Sequence, residues 1–228
     1  MERIPEGEAI PRIEQAREFN RQMGRGSMRR EYRELAVTAI KMGIPAGGRV
    51  VDIGTGPGFV ALELADQLRG HAQVIGLDLS PAMLIVAAEN ATARGLQDWV
   101  SWQEGDAADM PFGDGEVDFI VSAGSLHHWA DPLVVFDEFA RILKPAGQCL
   151  IQDLKRDMRG LSFVCSRLIG LTIPTAFRVH YYNSIRSAYT VNEVRVLLHR
   201  SRLTRCAVEE DLMGLRIVKR AGETSGTG

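Results

Sequence analysis

The sequence predicts an α/β fold: a doubly wound sheet of seven mostly parallel strands, with a helical cap inserted after the fifth. Three observations carry that expectation. From Arg49 onward, short apolar runs alternate with segments of helical period, the pattern of parallel strands joined by crossover helices. Glycines at 54, 56 and 58 join the first such strand directly to a helix. The alternation then stops at 155 and resumes at 190, which leaves room for an insertion.

Residues 1–48 are rich in Arg and Glu at helical spacing, interrupted by Gly24 and Gly26 and ended by Gly43, Pro45, Gly47 and Gly48. Two helices therefore precede the sheet, either covering a ligand held at its edge or presenting solvated faces. Residues 50–53 form a buried strand, and 59–68 a helix with one wide apolar face made by Phe59, Val60, Leu62, Leu64, Ala65 and Leu68. A second strand covers 74–78. The helix after it is delimited by Ser80 as N-cap, Pro81 at its first position and Gly95 as its stop. Strands at 100–103, 117–122 and 148–153, with a helix at 132–143, complete five β/α units.

Between 155 and 189 one element is legible, a mostly apolar helix over 161–171. Thr190 and Glu193 then form a capping box for a helix over 191–199. Two closing strands follow at 205–210 and 212–219, around a tight turn. The sheet domain is thus 49–154 plus 190–220, with 155–189 as an inserted cap. The polar tail 221–228 is too small to pack.

At 228 residues, 45% hydrophobic and 25% charged, the chain has the composition of one globular unit whose core needs no staples. Cys149, Cys165 and Cys206 are widely spaced and make no zinc-ligand cluster, so no metal site and a reducing, cytoplasmic setting are expected. The N-terminus lacks the basic-then-apolar order of a signal peptide, and no stretch reaches the ~18 apolar residues of a membrane span. Charge is uneven: 1–154 holds 14 Lys and Arg against 23 Asp and Glu, whereas 155–205 holds 10 against 2.

The chemistry concentrates at residues 51–59, where Asp52, Gly54, Thr55, Gly56 and Gly58 lie between a strand and a helix N-terminus. Glycines let a backbone approach a ligand where a Cβ would collide. Asp78 ends the next strand 20 residues after Gly58, where a carboxylate can accept both hydroxyls of a ribose. A dinucleotide fingerprint would require glycine where Phe59 stands. A carboxylate at 52, read as lying at the loop mouth, disfavours a pyrophosphate and suits a cationic sulfonium with an ammonium group. S-adenosyl-L-methionine is therefore the expected cofactor in preference to NAD.

These motifs, together with Asp78-Leu79-Ser80-Pro81-Ala82-Met83, Gly105-Asp106-Ala107, residues 117–129 and Arg141-Ile142-Leu143-Lys144-Pro145-Ala146-Gly147, resemble the successive motifs of class I methyltransferases. Among these the quinone-type C-methyltransferases are the most similar branch. The resemblance covers 49–153 and implies a Rossmann-like methyltransferase fold. It also implies that Asp78 holds the ribose diol, with Leu79 beside it, and that Met83 lies on the adenine face. Asp106 would take the adenine amino group with Ala107 beside it, and Ser122 and Ala123 would offer carbonyls to the methionine ammonium. Asp106 and Asp109 also fit ordinary turn carboxylates, and Met83 also fits a core position.

His127 and His128 follow the fourth strand at its carboxyl edge, where such sheets hold their ligands. His127 reads as a general base for an acceptor proton or as a packing residue, and His128 as its support. The expected acceptor is a small molecule, apolar or acidic: the cap combines an apolar helix with Arg156, Arg159, Arg167, Arg178 and Arg186, and adds Tyr181 and Tyr182. Methyl transfer to RNA or protein, and cofactor binding by a non-catalytic partner subunit, are the alternatives. No nucleic-acid recognition motif supports the former. Oligomeric state has no signal in the sequence.

Overall fold

The computed structural model describes residues 3–5, 10–24, 26–172 and 175–222; of the expected polar tail, 223–228 lie outside the described residues. Helices α1 (Ile13–Met23) and α2 (Gly26–Gly43) lead into β1 (Arg49–Ile53), α3 (Phe59–Leu68), β2 (Gln73–Asp78), α4 (Pro81–Ala93) and β3 (Val100–Glu104). Then come β4 (Val117–Ala123), a 3₁₀ turn (Leu126–His128), α5 (Pro132–Ile142) and β5 (Leu143–Leu154). The inserted segment holds α6 (Leu161–Thr172) and α7 (Thr175–Ser187), and the chain closes with α8 (Val191–Arg200), β6 (Cys206–Glu210) and β7 (Gly214–Lys219).

The seven strands form one sheet in the order β3-β2-β1-β4-β5-β7-β6, and only the pairs made by β7 are antiparallel. The winding runs outward from β1 to β3, then reverses at β4. The crevice outside the carboxyl ends of β1 and β4 is therefore the switch point at which a doubly wound sheet receives its ligand.

Both faces of the sheet are covered, and the pleat decides which residue meets which layer. Along β1, Val51 and Ile53 join the core built with Phe136 and Phe139 of α5 and Val194 and Leu198 of α8. Val50 faces the opposite core, with Val60, Leu62 and Leu64 of α3 and Leu35, Ala36 and Ala39 of α2. Asp52, two residues from Val50, is turned to that same side, against α3.

The caps read from the sequence are present. Ser80 Oγ accepts from Met83 N at 3.2 Å, and the Thr190–Glu193 box is closed in both directions. Three local features differ from expectation. The cap contains a second helix, α7, whose sequence shows no apolar stripe. β5 starts at Leu143, directly after α5, because a register shift against β4 absorbs Lys144-Pro145-Ala146-Gly147 as an irregularity inside the strand. β7 starts at Gly214 because Asp211 Oδ1 accepts from Met213 N and Gly214 N and holds the hairpin turn open to that point.

The N-terminal helices take different places. α2 packs on α3 as part of the helical layer, and α1 lies on α4 through Ala16, Ala82, Met83 and Val86. The chain ahead of α1 reaches the ligand edge: Ser80 Oγ donates to the Ile10 carbonyl, and Arg3 donates to the carbonyls of Ser187 and His127.

Candidate active site

The glycine loop is shaped by its own hydrogen bonds. Gly54 N and Thr55 N both donate to the Leu77 carbonyl at 2.9 Å, and Gly58 N donates to the Thr55 carbonyl at 2.9 Å. Gly56 N donates to Asp78 Oδ2 at 2.7 Å, and Pro57 has no N–H to offer. The amides of Gly54, Thr55, Gly56 and Gly58 are thus engaged within the loop and with Asp78. Gly54 has a φ of +67°, and a Cβ there would collide with Ser125 Oγ; at Gly58, φ is +81° and a Cβ would run into Trp102. Neither position accepts another residue without displacing the loop.

Asp52 differs from the sequence expectation. Its carboxylate lies beneath the loop, 1% exposed, where Oδ2 accepts from the Thr55 hydroxyl at 2.7 Å and from Ala61 N at 3.1 Å. Burial pushes its carboxyl up to about 7, against the pull of those two donors. The pleat of β1 is the cause, since it aims residue 52 at α3. Asp52 therefore braces the loop against α3 and does not present a charge at the mouth.

Asp78 stands at the edge as expected. Its Oδ1 accepts from Ser80 N at 2.9 Å and its Oδ2 from Gly56 N, and burial raises its pKa while these two amides oppose the rise. Each oxygen keeps a lone pair, so the carboxylate can still accept a ribose diol. Leu79 is 39% exposed beside it. Gly105 N donates to the Asp78 carbonyl, which brings Asp106 and Ala107 to the same corner. Asp106 is exposed, and its Oδ1 accepts from Ala108 N at 2.8 Å, the geometry of a turn carboxylate. Met83 is buried in the small core between α1 and α4, so its side chain is already engaged there.

The exit of β4 is tied to the loop from the other side. Ser122, fully buried, donates from Oγ to the Ile53 carbonyl at 2.8 Å, and Ser125 Oγ donates to the Gly54 carbonyl at 3.1 Å. Ala123, between them, is half-buried. His127 and Asp153 follow, at the ends of neighbouring strands. Asp153 Oδ2 accepts from His127 N at 3.0 Å, and Asp153 Oδ1 lies 2.7 Å from His127 Nδ1. Both side chains are buried, and the His128 ring stacks at a tilt 4.1 Å from that of His127. A carboxylate at that distance favours the tautomer with its proton on Nδ1.

The chain matches a family model over residues 51–151, described as a methyltransferase domain. The matched stretch, less than half of the chain, runs from β1 and the glycine loop into β5, and over it the chain is similar to a methyltransferase domain. A demethylmenaquinone methyltransferase of Thermus thermophilus is 36% identical over 112 residues, which is 49% of this chain and 50% of that protein. A 2-phytyl-1,4-naphtoquinone methyltransferase of Synechococcus elongatus is 36% identical over 110 residues, 48% of this chain and 47% of the other. The chain thus aligns with about half the length of these curated relatives. A crystal structure of an S-adenosylmethionine-dependent methyltransferase from Aquifex aeolicus shares the fold, with a TM-score of 0.65 and 21% identity over 91% of this chain and 97% of that one.

Several residues at the edge of this site carry no sequence signal of their own. Asp153 was legible as the end of a strand, but its partnership with His127 depends on β4 and β5 being neighbours. Asn90 donates from Nδ2 to the Pro57 carbonyl at 2.9 Å and also pairs with Asn20, which joins α1 and α4 to the loop. Among the described residues, no three His, Cys, Asp or Glu side chains are grouped to hold a metal.

Proposed function

We propose that this protein transfers the methyl group of S-adenosylmethionine to a ring carbon of a small quinone-type acceptor in its reduced, hydroxylated form. The observation that carries the cofactor is the loop itself: its amides are consumed internally, and it is closed onto a carboxylate at the end of β2. This arrangement suits a nucleoside without phosphates. The acceptor class is supported by the relatives, two of which are named for naphthoquinone or menaquinone substrates.

When bound, the cofactor supplies a methyl group already activated by its sulfonium leaving group, so no protein nucleophile is required. Asp78 receives the ribose hydroxyls and fixes the adenosine end, while Leu79 offers an apolar surface beside it. Ser122 and Ser125 hold the exit of β4 against the loop, and with it the Ser122 and Ala123 carbonyls proposed for the ammonium. His127, oriented through Nδ1 by Asp153, takes the acceptor hydroxyl proton at Nε2, which raises electron density on the ring carbon that attacks. The closing of Arg3 and α7 over the 3₁₀ turn excludes water from that step. A cytoplasmic setting belongs to the same reading.

The test is turnover of a reduced naphthoquinone with labelled cofactor, the product being located by mass spectrometry and NMR. A methyl group on a ring carbon is the expected result; a methyl on oxygen, or none on any quinol tried, overturns the acceptor. His127→Ala is expected to lower turnover by about 10²- to 10⁴-fold with the cofactor Kd little changed. A loss below about threefold would assign His127 to packing alone.

A further inference from the structure

On an ordinary surface helix the apolar stripe faces inward and the polar face meets water. α6 is built the other way round. Leu161, Val164, Leu168 and Leu171 follow one another at helical spacing along one side, and each is between 51% and 69% exposed. Phe163 and Ile169 widen this stripe. The opposite line, Ser162, Ser166 and Gly170, is buried. There the Tyr181 hydroxyl donates to the Ser166 carbonyl at 3.2 Å, and the Tyr182 ring and hydroxyl occupy the space where a Cβ on Gly170 would stand. Small residues are required on the inner line for α7 to pack, so the helix has no rotation that would hide its leucines. Val179 of α7, 64% exposed, adds to the same type of surface.

The charge of the segment indicates what covers that surface. Residues 155–189 hold six Lys and Arg and a single acid, Asp157, but the side chains of Lys155 and Arg156 are buried against Glu210 and Glu193 and add nothing to the outer face. Arg159, just ahead of α6, and Arg167, on it and 5.4 Å over the Tyr182 ring, are exposed, as is Arg186 in the last turn of α7. A second copy docked here would set two cationic segments face to face, which opposes association. An anionic lipid surface satisfies both features, since it receives leucines among its acyl chains and arginines among its headgroups. The helix is 12 residues long, about 18 Å, and cannot cross a bilayer core of about 30 Å, so it would lie in the interface plane.

We propose that α6 is a membrane-docking helix, its outward stripe inserted among the headgroups of an anionic bilayer with Arg159 and Arg167 on the lipid phosphates. The inference rests on the quinone-type reading above, because an acceptor with an apolar tail is dissolved in the bilayer and must enter from it. α7 connects the two places: it carries α6 on one side and packs against the 3₁₀ turn of His127 on the other.

The full chain is sedimented with vesicles of phosphatidylcholine alone and of phosphatidylcholine with phosphatidylglycerol. Binding to the anionic vesicles, weakened by salt, is expected. Leu161→Glu with Leu168→Glu should abolish it, and Arg159→Gln with Arg167→Gln should lower the partition coefficient by about fivefold per arginine. These side chains are exposed, so circular dichroism should report an unchanged fold. Equal binding to both vesicle types, no binding to either, or full binding by the leucine variant overturns the proposal. So does a dimer in sedimentation velocity that Leu168→Glu dissociates, without vesicle binding. Turnover of a tail-less, water-soluble quinol in buffer without vesicles reads catalysis separately. Activity there without vesicle binding refutes the docking helix alone, and binding without any methyl transfer refutes the quinone reading.

Discussion

Asp78 and Asp52 are both carboxylates at the ends of hydrophobic strands, yet their neighbours give them opposite duties. Asp78 is half-buried at the edge and keeps lone pairs for a ligand. Asp78→Ala is therefore expected to weaken S-adenosylmethionine binding by about 1.5–3 kcal/mol, read by calorimetry, because charge-assisted hydrogen bonds are lost. Unchanged affinity would move the ribose elsewhere. Asp52 is sealed under the loop, with its carboxyl held at about 7 in the fold against 3.8 for the ordinary group. Between those values the folded chain keeps a proton that the unfolded chain has released. The stability this group contributes is thus greatest below about pH 4, falls as pH rises through the window and is level above about pH 7. Asp52→Asn still accepts from Thr55 and Ala61 through its amide oxygen and has no proton to lose. Relative to the variant, the native chain should lose Tm steadily between about pH 4 and 7; parallel Tm profiles would show that the burial of Asp52 carries no such cost.

At the scale of elements, what could be read in advance was whatever one short stretch of chain decides. The strands at β1, β2 and β4 are short runs of buried residues, and Ser80-Pro81 and Thr190 with Glu193 are caps whose hydrogen bonds close within three residues. α7 was not legible, because Tyr181, Tyr182, Asn183 and Ser184 mix apolar and polar character without a stripe; its helicity depends on packing against the Ser166 and Gly170 side of α6. The facing of Asp52 follows from the alternation of Val50, Val51, Asp52 and Ile53, which turns it with Val50 toward α3 and away from the loop mouth. Asp153 and Arg3 belong to a third kind. Their contacts with His127 span 26 and 124 residues of sequence, so only the topology brings them together.

Across the whole molecule, rigidity is distributed unevenly in a way that fits its proposed use. The central strands β1, β4 and β5 are sealed between two cores, so their amides are expected to exchange most slowly. Among the described residues, none of α6 or α7 belongs to either of these cores: α6 packs on α7, its leucines face outward, and α7 meets the 3₁₀ turn, while Arg3 and Ile4 bond Ser187 and Arg186. We therefore expect 155–189 to act as a lid that closes when the cofactor end of the site is filled, with the chain ahead of α1 as its latch. Hydrogen exchange with and without S-adenosylhomocysteine checks this. Amides of α6 and α7 should exchange far faster than those of β1, β4 and β5 in the free protein, and should gain protection with the cofactor product, together with α1 and the start of α2. The sheet should change little. Arg3→Ala should diminish the gain in α7 without altering exchange in the sheet, because it removes the bonds to Ser187 and His127 and leaves both cores intact. Strong and equal protection of 155–189 in both states would make this segment a fixed wall, and an acceptor would then have to enter the crevice from another side.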